Sequence, residues 1–149
     1  LAVECAGQGL LFPLHEAGEI FAVGNVLPVP HTQPWFAGVA NLRGGLHGVV
    51  DLARFLGLPE MAAGDAGRDQ ARLIGFGASL GLNGALLVDR LAGLRSSEHL
   101  RSQSDAGATA TEARPSFAPT RWLDGNGRSW QALDLGALAR DVRFLSIAA

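Results

Sequence analysis

Glycine sets the limits on what this chain can fold into. It occurs 20 times in 149 residues and cuts the apolar positions into runs too short for most helices. Inside a helix a glycine costs about 1 kcal/mol relative to alanine, whereas at a tight turn its freedom at positive φ is an advantage. Short apolar runs separated by turn residues are the pattern of many short strands. The pattern predicts strands over 1–5, 10–14, 19–23, 38–43, 46–50, 72–76, 85–88, 90–94, 121–123 and 129–133. Pro28 and Pro30 lack an amide hydrogen, so 26–30 is read as an extended or edge segment. Residues 60–70 and 102–116 are small, polar and weakly periodic, and are expected as exposed loops. The second offers almost nothing to bury and is the segment expected to be most mobile.

Two stretches share a plan. Residues 38–43, a Gly44-Gly45 turn and 46–50 lead into Asp51-Leu52, which opens a short helix ending near Leu56. Residues 121–123, a turn at Asp124-Gly125-Asn126-Gly127 and 129–133 lead into Asp134-Leu135, which opens another. Each aspartate is placed to accept the free amide hydrogens of a first helical turn. Leu52, Phe55 and Leu56 then fall on one buried face, and Gly57 and Pro59 stop the helix. This is either a duplicated unit, giving two similar small barrels, or coincidence, because Asp-Leu is a common dipeptide.

The remaining composition narrows the function classes. Nearly half of the chain is hydrophobic, so a core needs neither disulfides nor metal. Cys5 is the lone cysteine, which fits a reducing compartment and a cytoplasmic location. No apolar stretch approaches the ~18 residues of a membrane span, so no membrane insertion is expected. The start at Leu1, with no methionine and no signal pattern, is read as a truncated N-terminus. All 12 basic residues are arginine, scattered among 14 acidic ones, which argues against a nucleic-acid surface.

Catalytic constellations are equally thin. His47 and Asp51 share a strand face and could form a base and its orienter. Such a pair needs a nucleophile, and Ser79, Ser96 and Ser97 stand in no suitable context. The plainer reading is a strand histidine and a helix cap. His15, His31 and His99 have no second ligand at metal spacing, so no metal is expected. Gly75-Phe76-Gly77 and Gly81-Leu82-Asn83-Gly84 lack the features of a phosphate loop, and Asn83-Gly84 reads as turn chemistry. No cofactor is implied.

The most specific stretch runs from Val29 through Pro34-Trp35-Phe36, then Gly38-Val39-Ala40-Asn41-Leu42-Arg43-Gly44, to Val50-Asp51-Leu52. It resembles the signature of the CheW-like domain of bacterial chemosensory adaptors. There a proline-bounded loop leads to a Gly-Val-x-Asn-Leu-Arg-Gly strand and turn, then to a strand ending in Val-Asp-Leu. Glu19-Ile20 is similar to an upstream step of the family, and Ala85 to Asp89 to its later Val-Asp strand. Gly48 stands where the family usually has proline. The short form Val39-Ala40-Asn41, with Trp35 just after a proline, is most similar to the PilI-type adaptors of twitching motility.

The resemblance covers residues 10 to about 144. It implies a mainly β fold of two small five-stranded barrels sharing a hydrophobic core, with short helices, as a single CheW-like domain over 1–149. It also implies a non-catalytic adaptor coupling a methyl-accepting chemotaxis receptor to a CheA-type histidine kinase, in a type IV pilus system. On that basis Arg43, Gly44 and Glu19 are partner-binding residues. By residue type, Trp35 and Phe36, which follow Pro34 in a segment expected at the surface, are read as interface anchors, and Val26 and Val29, with Leu27, as an apolar docking edge. Each has a plainer alternative. Arg43 can be a solvated turn residue paired with Glu19, Trp35 and Phe36 can close a barrel end, and Val26 to Val29 can be edge-strand core. At the level of the whole chain, the alternatives are a small hydrolase or ligand-binding barrel using His47 and Asp51, and a regulatory domain cut from a larger kinase.

Overall fold

The computed structural model describes residues 1–58, 70–94, 100–102, 117 and 121–148. Its strands are β1 (Ala2–Cys5), β2 (Gln8–Leu11), β3 (Ala17–Ala22), β4 (Phe36–Leu42), β5 (Gly45–Asp51), β6 (Arg72–Phe76), β7 (Gly84–Val88), β8 (Arg90–Gly93), β9 (Arg101–Ser102), β10 (Arg121–Leu123) and β11 (Ser129–Ala132). The helices are short: α1 (Leu52–Phe55), a 3-10 turn (Ala78–Leu80), α2 (Leu135–Arg140) and α3 (Val142–Leu145). Apart from Gln70 and Ser102, the loops expected over 60–70 and 102–116 lie outside the described residues, as do Ser96, Ser97 and His99.

The strands form two sheets, ordered β8-β1-β2-β11-β10-β9 and β3-β6-β7-β5-β4. The first carries one strand more than the expected five, the two-residue β9 at its edge. Without β9 the two sheets share one plan. In each, a hairpin (β1–β2 or β6–β7) lies parallel to the second strand of another hairpin (β10–β11 or β4–β5). An antiparallel edge strand, β8 or β3, completes each sheet. A capped helix follows the strand of the parallel pair both times. The Arg54 amide donates to Asp51 Oδ1 at 3.3 Å, and the Ala137 amide to Asp134 Oδ1 at 2.9 Å. The repeated unit read from the sequence therefore occupies equivalent places in the two sheets.

The β4–β5 turn differs from expectation. Leu42 pairs with Gly45, so the two central residues are Arg43 and Gly44, not Gly44 and Gly45. Both have positive φ, 52° and 75°, as a two-residue hairpin loop twisted to match its strands requires. Arg43 thus holds a backbone state that glycine adopts more readily.

One core cluster joins the sheets, with Val3 and Leu10 from the first and Ile74, Leu86 and Val88 from the second. Phe55 lies at its centre, its ring edge-on to Trp35 at 5.0 Å and to Phe144 at 5.3 Å. Ala40, Leu42, Val49, Leu73 and Ala85 form a second cluster on the second sheet. Towards its end β5 is covered on both faces, Val49 entering the second cluster and Val50 the first.

Candidate functional site

The two side chains considered as a base and its orienter are each committed to local structure. His47 Nδ1 lies 3.0 Å from the Gly45 carbonyl oxygen, back along its own strand. Asp51 caps α1, and its carboxylate also lies 3.6 Å from Arg54 Nε. The supposed base and orienter are thus engaged separately. Cys5 is fully buried, and burial pushes its thiol up to about 12, so almost none is thiolate near neutrality. Among the described residues no three His, Cys, Asp or Glu side chains converge.

Ion pairs instead tie hairpin turns to distant strands. In the first sheet Glu4 of β1 accepts from Arg128, beside the β10–β11 turn, at 2.5 Å, and from Arg90 of β8. The guanidinium of Arg128 also lies over the Trp130 ring, 4.4 Å from its centroid. Glu4 is mostly covered, with 13% side-chain exposure. The hydrogen bond from Arg90, and then the contact with Arg128, hold its carboxyl below the usual carboxylate range despite partial burial. A depressed folded pKa adds stability above the unfolded value of about 4.3, and that stability is lost as pH falls through the folded value. Glu4→Gln is therefore expected to be about 1 kcal/mol less stable near pH 7, with the exposed guanidiniums limiting the effect. In urea titrations the gap from the native sequence should close at low pH; a gap independent of pH would exclude the charge as its cause.

The second sheet has a counterpart that is left in solvent. Arg43 Nη2 meets Glu19 Oε1 at 2.5 Å, from the β4–β5 turn to edge strand β3, with side-chain exposures of 75% and 42%. A pair this exposed contributes only ~0–1 kcal/mol, so stability alone does not account for it. Beside it a hollow of about 330 Å³ is lined by Glu19, Phe21, Asn25, Asn41, Arg43 and Leu73, among others. It continues into one of about 680 Å³ lined by Asn25, Val26, Leu27, Val39, Asn41 and Leu46. Asn25 and Asn41 belong to both, so one valley runs from the ion pair to an apolar rim. Leu27 and Leu46 are each 66% exposed on that rim.

A family model for the CheW-like domain matches residues 1–143. The chain belongs to the CheW-like domain family. The crystal structure of the scaffolding protein TtCheW from Thermoanaerobacter tengcongensis has the same fold. It aligns with a TM-score of 0.68 at 16% identity, over 89% of this chain and 85% of that one. No curated protein sequence matches the chain. No helix among its described residues is long and apolar enough to cross a membrane.

Within this CheW-like domain the expected site residues divide. Glu19 and Arg43 come together at one end of the valley, with Gly44 next to Arg43 in the turn, and Val26 lines the other end. Val29 is 38% exposed, two residues beyond Leu27. Leu27 and Val39 exchange backbone hydrogen bonds of 2.8 and 2.9 Å, so the segment does lie as an edge beside β4. Trp35 and Phe36 are a correction to the expected surface anchors, since both are at least nine-tenths buried. The Trp35 ring stacks on Phe144 at 6.2 Å, a partner supplied by the far end of the chain. Asn25 and Leu46 were not read as site residues from the sequence. Leu46 carried a signal, as a large aliphatic residue at a strand start next to the turn.

Proposed function

We propose that this chain is a non-catalytic adaptor that couples a methyl-accepting chemotaxis receptor to a CheA-type histidine kinase in the cytoplasm. Residues 1–149 act as one CheW-like unit in this role. The observation that carries the proposal is the solvent-exposed Arg43–Glu19 pair beside a valley with an apolar rim. Arginine presents a planar fork that grips a carboxylate with two parallel hydrogen bonds. Aliphatic groups next to such a fork suit a protein partner that offers both charge and apolar surface. Receptor contact is assigned to Arg43, Gly44, Glu19, Val26 and Val29, and the kinase to another face. Family membership supports the adaptor class, and the separate engagement of His47 and Asp51 weighs against a hydrolase. The short Val39-Ala40-Asn41 form supports a type IV pilus setting, with twitching motility as the output.

Affinity capture with this chain, read by mass spectrometry, is expected to recover a CheA-type kinase and a receptor together. Genes for pilus components beside those for the captured partners would support the twitching assignment. Recovery of neither partner, from cells expressing both, would remove the adaptor reading.

A further inference from the structure

The segment after α3 runs back to the proline-bounded loop. Phe144 fixes α3 in the core, 4% exposed and packed against Trp35, Phe55 and Phe76. Just beyond the helix, the Gln33 amide donates to the Ile147 carbonyl at 2.7 Å. Gln33 Nε2 donates to the Ala148 carbonyl at 3.1 Å, and Thr32 pairs with Ala148 as an antiparallel bridge. Thr32 Oγ1 also donates to the Val29 carbonyl at 2.8 Å.

The loop is therefore held at two points, Leu27 on β4 and residues 32–33 on the C-terminal segment. Between them Pro28 and Pro30 have no amide hydrogen to give, and His31 has a φ of 61°. A stretch with so few bonds of its own takes its position from its ends. The Gln33 side chain adds to the backbone contacts at the second end.

We infer that Gln33 is a positioning residue, which clamps the C-terminal segment to the loop and so fixes Val29 for partner docking. The functional half rests on the docking role proposed above for Val29; the clamp itself does not. The chemistry is specific to an amide. Glutamate has the same shape, but its carboxylate cannot donate to the Ala148 carbonyl and is repelled by it.

The test compares Gln33→Glu, Gln33→Asn and a chain ending at Ser146 with the full sequence. Amide hydrogen exchange at Gln33 is expected to quicken about tenfold in Gln33→Glu and more in the shortened chain, as local openings become easier. Affinity for the captured receptor's signalling tip is expected to fall about three- to tenfold, with kinase affinity and the melting temperature unchanged. Gln33→Asn, which keeps the donor on a shorter stem, should fall between. Unchanged exchange at Gln33 in the shortened chain overturns the clamp. Faster exchange with unchanged receptor affinity, while Val29→Ser weakens binding, overturns the positioning role. No effect of Val29→Ser overturns the docking edge itself, and the exchange data then decide the clamp alone.

Discussion

Gly38→Ala is expected to lower stability by about 2–4 kcal/mol, combining backbone strain with a steric clash. Gly38 has a φ of 144°, outside what side chains normally adopt. A Cβ there would lie 2.1 Å from the Leu27 carbonyl oxygen and 3.0 Å from the Pro28 nitrogen. Both atoms are backbone, so no rotamer change relieves the contact; the edge segment or β4 must move. The same carbonyl accepts the Val39 amide hydrogen at 2.9 Å, so the bridge that holds the edge is the first thing lost. Urea unfolding should show the lower midpoint, and exchange at the Leu27 and Val39 amides should quicken in native conditions. Gly44→Ala is the control. Gly44 has a φ of 75° with nothing within 4 Å of an added Cβ, so only the conformational penalty of about 1 kcal/mol applies. Equal losses at the two positions would mean that the contact with Leu27 counts for nothing.

Gly38 also shows what was legible in the sequence and what was not. The run from Gly38 was readable as a strand, but β4 begins two residues earlier, at Phe36, and Gly38 sits where its register shifts; β6 and β10 fall on their expected bounds. Local signals sufficed there because turn residues flank each run. The caps at Asp51 and Asp134 were equally local, each side chain reaching an amide three residues on. The parallel pairings of β11 with β2 and β5 with β7 join strands far apart in sequence, and no local pattern encodes them. The same limit explains Trp35. Next to Pro34 it read as a surface aromatic, but Phe144 folds back to cover it. The Arg43–Glu19 pair was legible as residue types and as a resemblance. Its exposure, and the valley beside it, depend on how strands 20 residues and more apart are brought together.

Substitutions at Arg43 are expected to separate binding from folding, and to move the two in opposite directions in one case. Arg43→Ala removes a pair worth ~0–1 kcal/mol and keeps a non-glycine residue at positive φ, so stability should fall by no more than about 1 kcal/mol. Arg43→Gly relieves that backbone state and should raise stability by about 0.5–1 kcal/mol. If Arg43 grips a receptor carboxylate, both variants lose a charge-assisted contact worth about 1–3 kcal/mol, a fall of roughly 5- to 150-fold in receptor affinity. Arg43→Lys should recover only part, because an ammonium cannot reproduce the planar fork. Kinase affinity should hold in all three, since the kinase is assigned to another face. Melts and titrations against the receptor tip and the kinase domain separately measure each quantity. A more stable Arg43→Gly with weakened receptor binding would mean the arginine is kept at the expense of its own turn. Unchanged receptor affinity in both Arg43→Ala and Arg43→Gly would falsify the binding role. The contrast with Glu4 sharpens the reading, since in the same kind of latch in the first sheet the carboxylate is covered and there serves the fold. Glu4→Gln should lower stability and leave receptor affinity alone, the reverse of the result expected for Arg43→Gly.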